Sequence, residues 1–255
     1  METRARLKIF CKLLPLFAFA VAVAAAPAHQ SPVRSAPAVS PAPAMWQTQR
    51  DVNNQDWKVC AGTAAKALAS LGYAVAADKD GQGRQRIFYG TGDGRNSAMI
   101  NCSWSGTTAL TVITGSSASG TSDAQVVVNR LTAYMASPAQ GNLPAVSNQL
   151  PASASPGLAQ RQQNVSNQPW SACTGKAQQA LASLGYRITN VIDGHGFESN
   201  FYGTGDGPNS AAIGCATVGT LTVYTITGSS TRGNIDARSV ANRLYNFIFP
   251  PAPAK

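Results

Sequence analysis

At 255 residues, with 44% hydrophobic but only 12% charged side chains, the chain is long enough for one or two globular domains covered mainly by Ser, Thr, Asn, Gln and Gly. The formal net charge of +9 points to a nucleic-acid partner only until it is located: residues 51–136 carry seven basic and six acidic side chains, and residues 165–248 carry five and four. Both stretches are near neutral and lack a Lys/Arg run able to neutralise a phosphate backbone, so nucleic acid is not an expected partner.

Residues 1–28 read as a secretory signal peptide. A basic start with Arg4, Arg6, Lys8 and Lys12 precedes an apolar run from Leu13 to Ala26, and Ala26-Pro27-Ala28 places small residues where a signal peptidase cuts. The run is shorter than the roughly 20 residues that span a bilayer, so cleavage is expected rather than anchoring. The mature chain is then periplasmic or secreted, without membrane insertion. Removal of Cys11 leaves Cys60, Cys102, Cys173 and Cys215, an even number that favours disulfides in an exported protein.

Residues 29–50, rich in Pro, Ala and Ser, read as a linker. Beyond them the chain repeats itself with a period of 113. Residues 52–131 align on residues 165–244 without a gap, with 43 identities in 80 positions. A period this long exceeds that of stacked solenoid repeats, so each copy is expected to be a domain. The boundaries follow: repeat domain 1 over 51–135, a flexible linker over 136–164, repeat domain 2 over 165–248 and a Pro/Ala tail over 249–255.

Within the first copy, Trp57, Cys60, Ala64, Leu68 and Leu71 recur at helical spacing, and Gly72 follows as a cap. Trp170, Cys173, Ala177, Leu181, Leu184 and Gly185 repeat the pattern. Four β-prone runs come next, Tyr73–Ala77, Ile87–Thr91, Ala98–Trp104 and Ala109–Thr114, with Gly92-Asp93-Gly94 as a hairpin signal. A last helix carries Val127, Leu131 and Tyr134 on one face, and Val240, Leu244 and Phe247 in the second copy. The predicted fold class is α+β: two tandem two-layer sandwiches, each a helix, a four-stranded antiparallel sheet and a helix. Cys60 and Cys102, like Cys173 and Cys215, stand 42 residues apart on a helix and a strand, so pairing within each copy is the simplest scheme.

The segment Phe-Tyr-Gly-Thr-Gly-Asp-Gly, at 88–94 and 201–207, draws the eye as a binding site. Tyr89, Asp93 and Asn96, with Tyr202, Asp206 and Asn209, supply a stacking ring and polar groups beside glycines that admit a ligand to the backbone. The alternative is a tight hairpin using the same residues for turn chemistry. No Walker lysine follows, no calcium loop or zinc spacing is present, and no cofactor is implied. Thr114-Gly115-Ser116-Ser117 reads as a strand-to-helix loop able to meet an anion. His195 faces Gln82 in the other copy, so a catalytic triad would exist in one copy at most. The expected function is therefore non-catalytic: a bivalent binding module for an envelope or extracellular partner, a repetitive one included. A hydrolase with its site between the domains and a purely structural or inhibitory pair are the alternatives.

Overall fold

The computed structural model describes residues 41–53, 57–79, 85–91, 94–105, 108–137, 155–193, 198–205 and 207–252. The predicted signal peptide and tail end, Asp93, Asp206 and His195 lie outside the described residues, as does most of each predicted linker.

The first helix of each half forms where the apolar stripe placed it. Helix α1 spans Trp57–Ser70 and α3 spans Trp170–Ser183. Cys60, Ala64 and Leu68 are buried on one, and Cys173, Ala177 and Leu181 on the other. Both helices end at the predicted glycine. Gly72 and Gly185 take φ values of +78° and +75°. The Gly72 amide donates to the Ala69 carbonyl at 2.9 Å and the Tyr73 amide to the Leu68 carbonyl at 3.3 Å. Gly185 and Tyr186 repeat the pair of bonds, the paired closure that only a left-handed residue permits.

Each sheet has five strands, not the predicted four. The expected strands are β2 (Ala74–Lys79), β3 (Gln85–Thr91), β4 (Asn96–Ser105) and β5 (Thr108–Ser117), with β7 (Arg187–Asp193), β8 (Glu198–Thr204), β9 (Asn209–Val218) and β10 (Leu221–Ser230) in the second half. The addition is a strand before the first helix, β1 (Ala44–Asn53) and β6 (Gly157–Ser166). Both begin inside segments whose composition reads as linker. Their alternating Gln, Thr and Arg side chains give little hydrophobic signal, and pairing supplies the order instead: β1 runs antiparallel along the whole of β5, from Ala44 opposite Ser117 to Asn53 opposite Thr108. The strand orders are β1-β5-β4-β3-β2 and β6-β10-β9-β8-β7.

Helices α1 and α2 (Thr121–Ala136) cover one face of the first sheet, and α3 and α4 (Asn234–Ile248) one face of the second. Two equivalent glycines let the last helices approach. A Cβ on Gly115 would stand 2.6 Å from the Ala124 carbonyl oxygen, and one on Gly228 2.2 Å from that of Ala237. Thr114–Ser117 is thus buried strand rather than loop. Val240 and Leu244 point inward as expected, but Phe247 is exposed and Ile248, one turn beyond Leu244, takes the inner place. Disulfides join Cys60 to Cys102 and Cys173 to Cys215, each tying a helix to the central strand beneath it.

Every residue of β5 is buried, on both faces. The second face is covered by the other half. The two sheets pack against each other, so the layers run helices, sheet, sheet, helices, and Val39–Lys255 behaves as one compact unit. This differs from the expectation of separate beads on a spacer. The buried junction is largely polar, and its bonds repeat about a pseudo-twofold axis. Ser116 and Ser229, equivalent residues 113 apart, bond to each other at 2.6 Å. Gln47 accepts from Thr114 at 3.0 Å and Thr227 at 3.1 Å, and its equivalent Gln160 donates to Thr227 at 3.0 Å. Ser97 donates to the Pro156 carbonyl and Ser210 to that of Pro43, again the same bond made twice. Symmetric self-complementarity of this kind is how twofold dimers associate.

Candidate functional site: a cavity in the first half

The repeated Phe-Tyr-Gly-Thr motif is used largely for packing. Strand alternation sends Phe88 and Phe201 toward the helices and Tyr89 and Tyr202 toward the junction between the sheets. Gly90 and Gly203 lie beneath the tyrosine that follows each first helix: a Cβ on Gly90 would meet Tyr73 Cδ2 at 2.8 Å, and one on Gly203 Tyr186 Cβ at 3.3 Å. Tyr202 closes the open edge of β1. Its hydroxyl accepts from the Gln47 amide at 2.8 Å and donates to the Gln47 carbonyl at 3.0 Å, while Trp46 stacks on its ring at 6.0 Å. Burial pushes its pKa far above the ordinary tyrosine value. Asn96 and Asn209 open β4 and β9 at the hairpin, where the Asn209 carbonyl accepts from the Gly205 amide at 2.9 Å. Tyr89 and Tyr202 thus face the junction, whereas Asn96 and Asn209 sit at the turns.

An open space lies elsewhere, between the helices and sheet of the first half, with a volume of about 380 Å³. Its floor is the buried trio Cys60, Thr111 and Ile113, from α1 and β5. Its walls are Thr48 on β1, Thr63 on α1, and Thr132 and Met135 on α2. Arg50, Val59 and Ala136, all exposed, stand at the rim. Three threonine hydroxyls already donate locally: Thr63 to the Val59 carbonyl at 3.0 Å, Thr132 to that of Val128 at 2.8 Å, and Thr111 to Cys60 Sγ at 3.2 Å. Those oxygens retain only acceptor capacity. Among the described lining residues, the guanidinium of Arg50 is the one charged group, and no carboxylate or histidine contributes.

Shifting each lining residue by the repeat period shows what the second half holds in its place. Thr111 becomes Tyr224, Thr132 becomes Tyr245, Ala136 becomes Phe249, Thr48 becomes Arg161 and Thr63 becomes Lys176. The three rings pack together: Tyr224 against Phe249 edge-on at 4.9 Å, and Tyr245 against Phe249 at 5.2 Å. Arg161 lies over Tyr245 at 4.7 Å and Lys176 over Phe249 at 5.8 Å. Gln163 accepts the Tyr245 hydroxyl at 2.8 Å, and Gln168 donates to that of Tyr224 at 2.8 Å. Burial raises the Tyr224 pKa and the Gln168 bond lowers it, for a net rise. The second half thus carries an aromatic plug where the first carries a cavity.

Neither a family model nor a characterised protein sequence matches the chain. Solved structures that resemble it include DynU16 of the dynemicin biosynthetic locus, 10% identical with a TM-score of 0.25 over 78% of this chain and 93% of that one. Two di-domain ARO/CYC proteins are also similar. BexL of the BE-7585A pathway is 9% identical, TM-score 0.21, over 83% of this chain and 99% of its own. StfQ of the steffimycin pathway is 7% identical, TM-score 0.22, over 72% and 84%. At these scores no function carries across.

Proposed function

We propose that the protein is an exported, non-catalytic binding protein that holds one small, largely apolar molecule in the cavity of its first half, in the cell envelope or outside the cell. The contrast between the copies carries this reading. Two halves sharing a fold, a disulfide and most core residues differ at the very positions that decide whether the space is open. A cavity of about 380 Å³ falls within the roughly 300–1,000 Å³ of small-molecule sites. A lining whose described residues include no carboxylate or histidine favours binding over proton-transfer chemistry. The two disulfides support an oxidising compartment, and the pattern of residues 1–28 supports delivery to it. In place of two equal sites on a spacer, this reading has one site, with the plugged half as its scaffold.

The test transplants the plug. Thr132→Tyr with Ala136→Phe in the first half should weaken binding of anilinonaphthalene sulfonate at least tenfold in a fluorescence titration. Far-ultraviolet circular dichroism and the urea midpoint should stay at or above wild type, because filling a void adds packing. Unchanged dye binding by the folded double variant would remove the cavity from the account.

A further inference from the structure

We propose, resting on the binding reading above, that the ligand is an amphiphilic acid: a carboxylate or comparable monoanion on a compact apolar body, with its head on Arg50 and its body inside. Arg50 stands at the rim and is the sole charged residue among the described residues of the lining. Among the described residues no carboxylate pairs with it. Its equivalent, Gln163, has a partner inside the protein, the Tyr245 hydroxyl of the plug. Where the plug is absent, the same strand position carries a cation with five donors aimed at no described acceptor. A planar guanidinium matches a carboxylate with two parallel bonds.

The inner wall selects the rest of the molecule. Ile113, Met135 and the disulfide sulfur of Cys60 present apolar surface, and Val59 adds more at the rim. The hydroxyls of Thr63, Thr111 and Thr132 have already given their protons to local acceptors. They repel a second acceptor and tolerate a hydrocarbon or a donor. The cation that an anionic head needs thus stands at the mouth, and the ligand enters body first. The near-neutral balance of residues 51–136 gives no broad field to hold an anion at large, so recognition rests on one contact.

Displacement of anilinonaphthalene sulfonate by decanoate and naphthoate is compared with displacement by decanol and naphthalenemethanol, in the wild type and in Arg50→Gln. The acids should bind at least tenfold more tightly than the alcohols, the preference should shrink with added salt, and Arg50→Gln should abolish it while leaving the alcohols unchanged. Equal binding of acids and alcohols, or an acid preference that survives Arg50→Gln, overturns the ligand class and leaves the cavity standing. Dye bound at the cavity but displaced by none of the four overturns it too. If even the dye fails to bind, or binds the plugged variant equally well, the binding reading itself falls.

Discussion

Tyr202 shows how much one side chain contributes at the junction. A phenol on β8 satisfies both backbone groups of Gln47 on the edge strand of the other half, so the edge is closed by a residue rather than by a strand. Burial raises its pKa, which fixes the sign of a pH effect. The folded state keeps the proton while the unfolded chain loses it near pH 10, so stability is intact below about pH 10 and falls above it. Tyr224, shifted in the same direction, adds to the fall. Urea midpoints measured from pH 8 to 11 should decline above pH 10 in the wild type. Tyr202→Phe should start lower, by about 1–3 kcal/mol for the unsatisfied Gln47 groups, and decline less steeply; an equally steep fall would assign the effect to other residues. Nearby, an exchange keeps an amide in the same contact. Asn101 on β4 donates to Gln160 at 2.7 Å; its equivalent is Gly214, and the amide that meets Gln47 at 2.9 Å comes from Asn200 on the adjacent strand. A Cβ on Gly214 would lie 2.5 Å from Gln47 Nε2, so the smaller residue makes the exchange possible.

At the scale of elements, glycines divide by what surrounds them. Gly228→Ala forces α4 away from β10 and should cost on the order of 1–3 kcal/mol. Gly175→Ala, in α3 with nothing within 4 Å of the new methyl, should add up to about 1 kcal/mol. Chemical denaturation of the two variants checks both signs. Each disulfide closes a 42-residue separation, worth about 4 kcal/mol in the loop-entropy account. Helices and their caps were legible in the sequence, because Cys60, Ala64 and Leu68 keep one period and Gly72 ends it. The disulfide pairing followed from the repeat. Strands β1 and β6 were not legible: Gln47, Gln49, Gln160 and Gln162 look like surface, and the hydrophobic partner that would reveal a strand is absent. The junction was hidden for the same reason, since Thr114, Ser116, Thr227 and Ser229 are buried polar residues paired with one another. The cavity was hidden differently. Its walls come from strand and helix positions far apart in the chain, and Thr48, Thr132 and Ala136 lie outside the aligned span of 52–131. A position-by-position comparison of side-chain size, carried a few residues further at each end, would have exposed it.

For the whole molecule, the junction turns two repeats into one thermodynamic body. Unfolding either half would expose the polar inner sheet face of the other and the orphaned ends of its hydrogen bonds. Calorimetry should therefore show one transition whose van't Hoff and calorimetric enthalpies agree; two resolved transitions would mean that the halves melt independently. Covalent linkage has a further result. In a homodimer both subunits must carry the same side chains, so a plug in one is a plug in both. Here one half carries three rings and the other carries the space.

The serine pair at the axis sets a limit on that likeness. Ser116 and Ser229 occupy the same position in the two halves and face each other at 2.6 Å. A hydroxyl has one proton to give, so one serine donates and the other accepts, and the arrangement can run either way. Even with identical repeats the axis could never be exact, because a single hydrogen must choose a side. The direction of that hydrogen makes the centre of the molecule a two-state device on its smallest scale, and a rotation of two hydroxyls is all that separates the states.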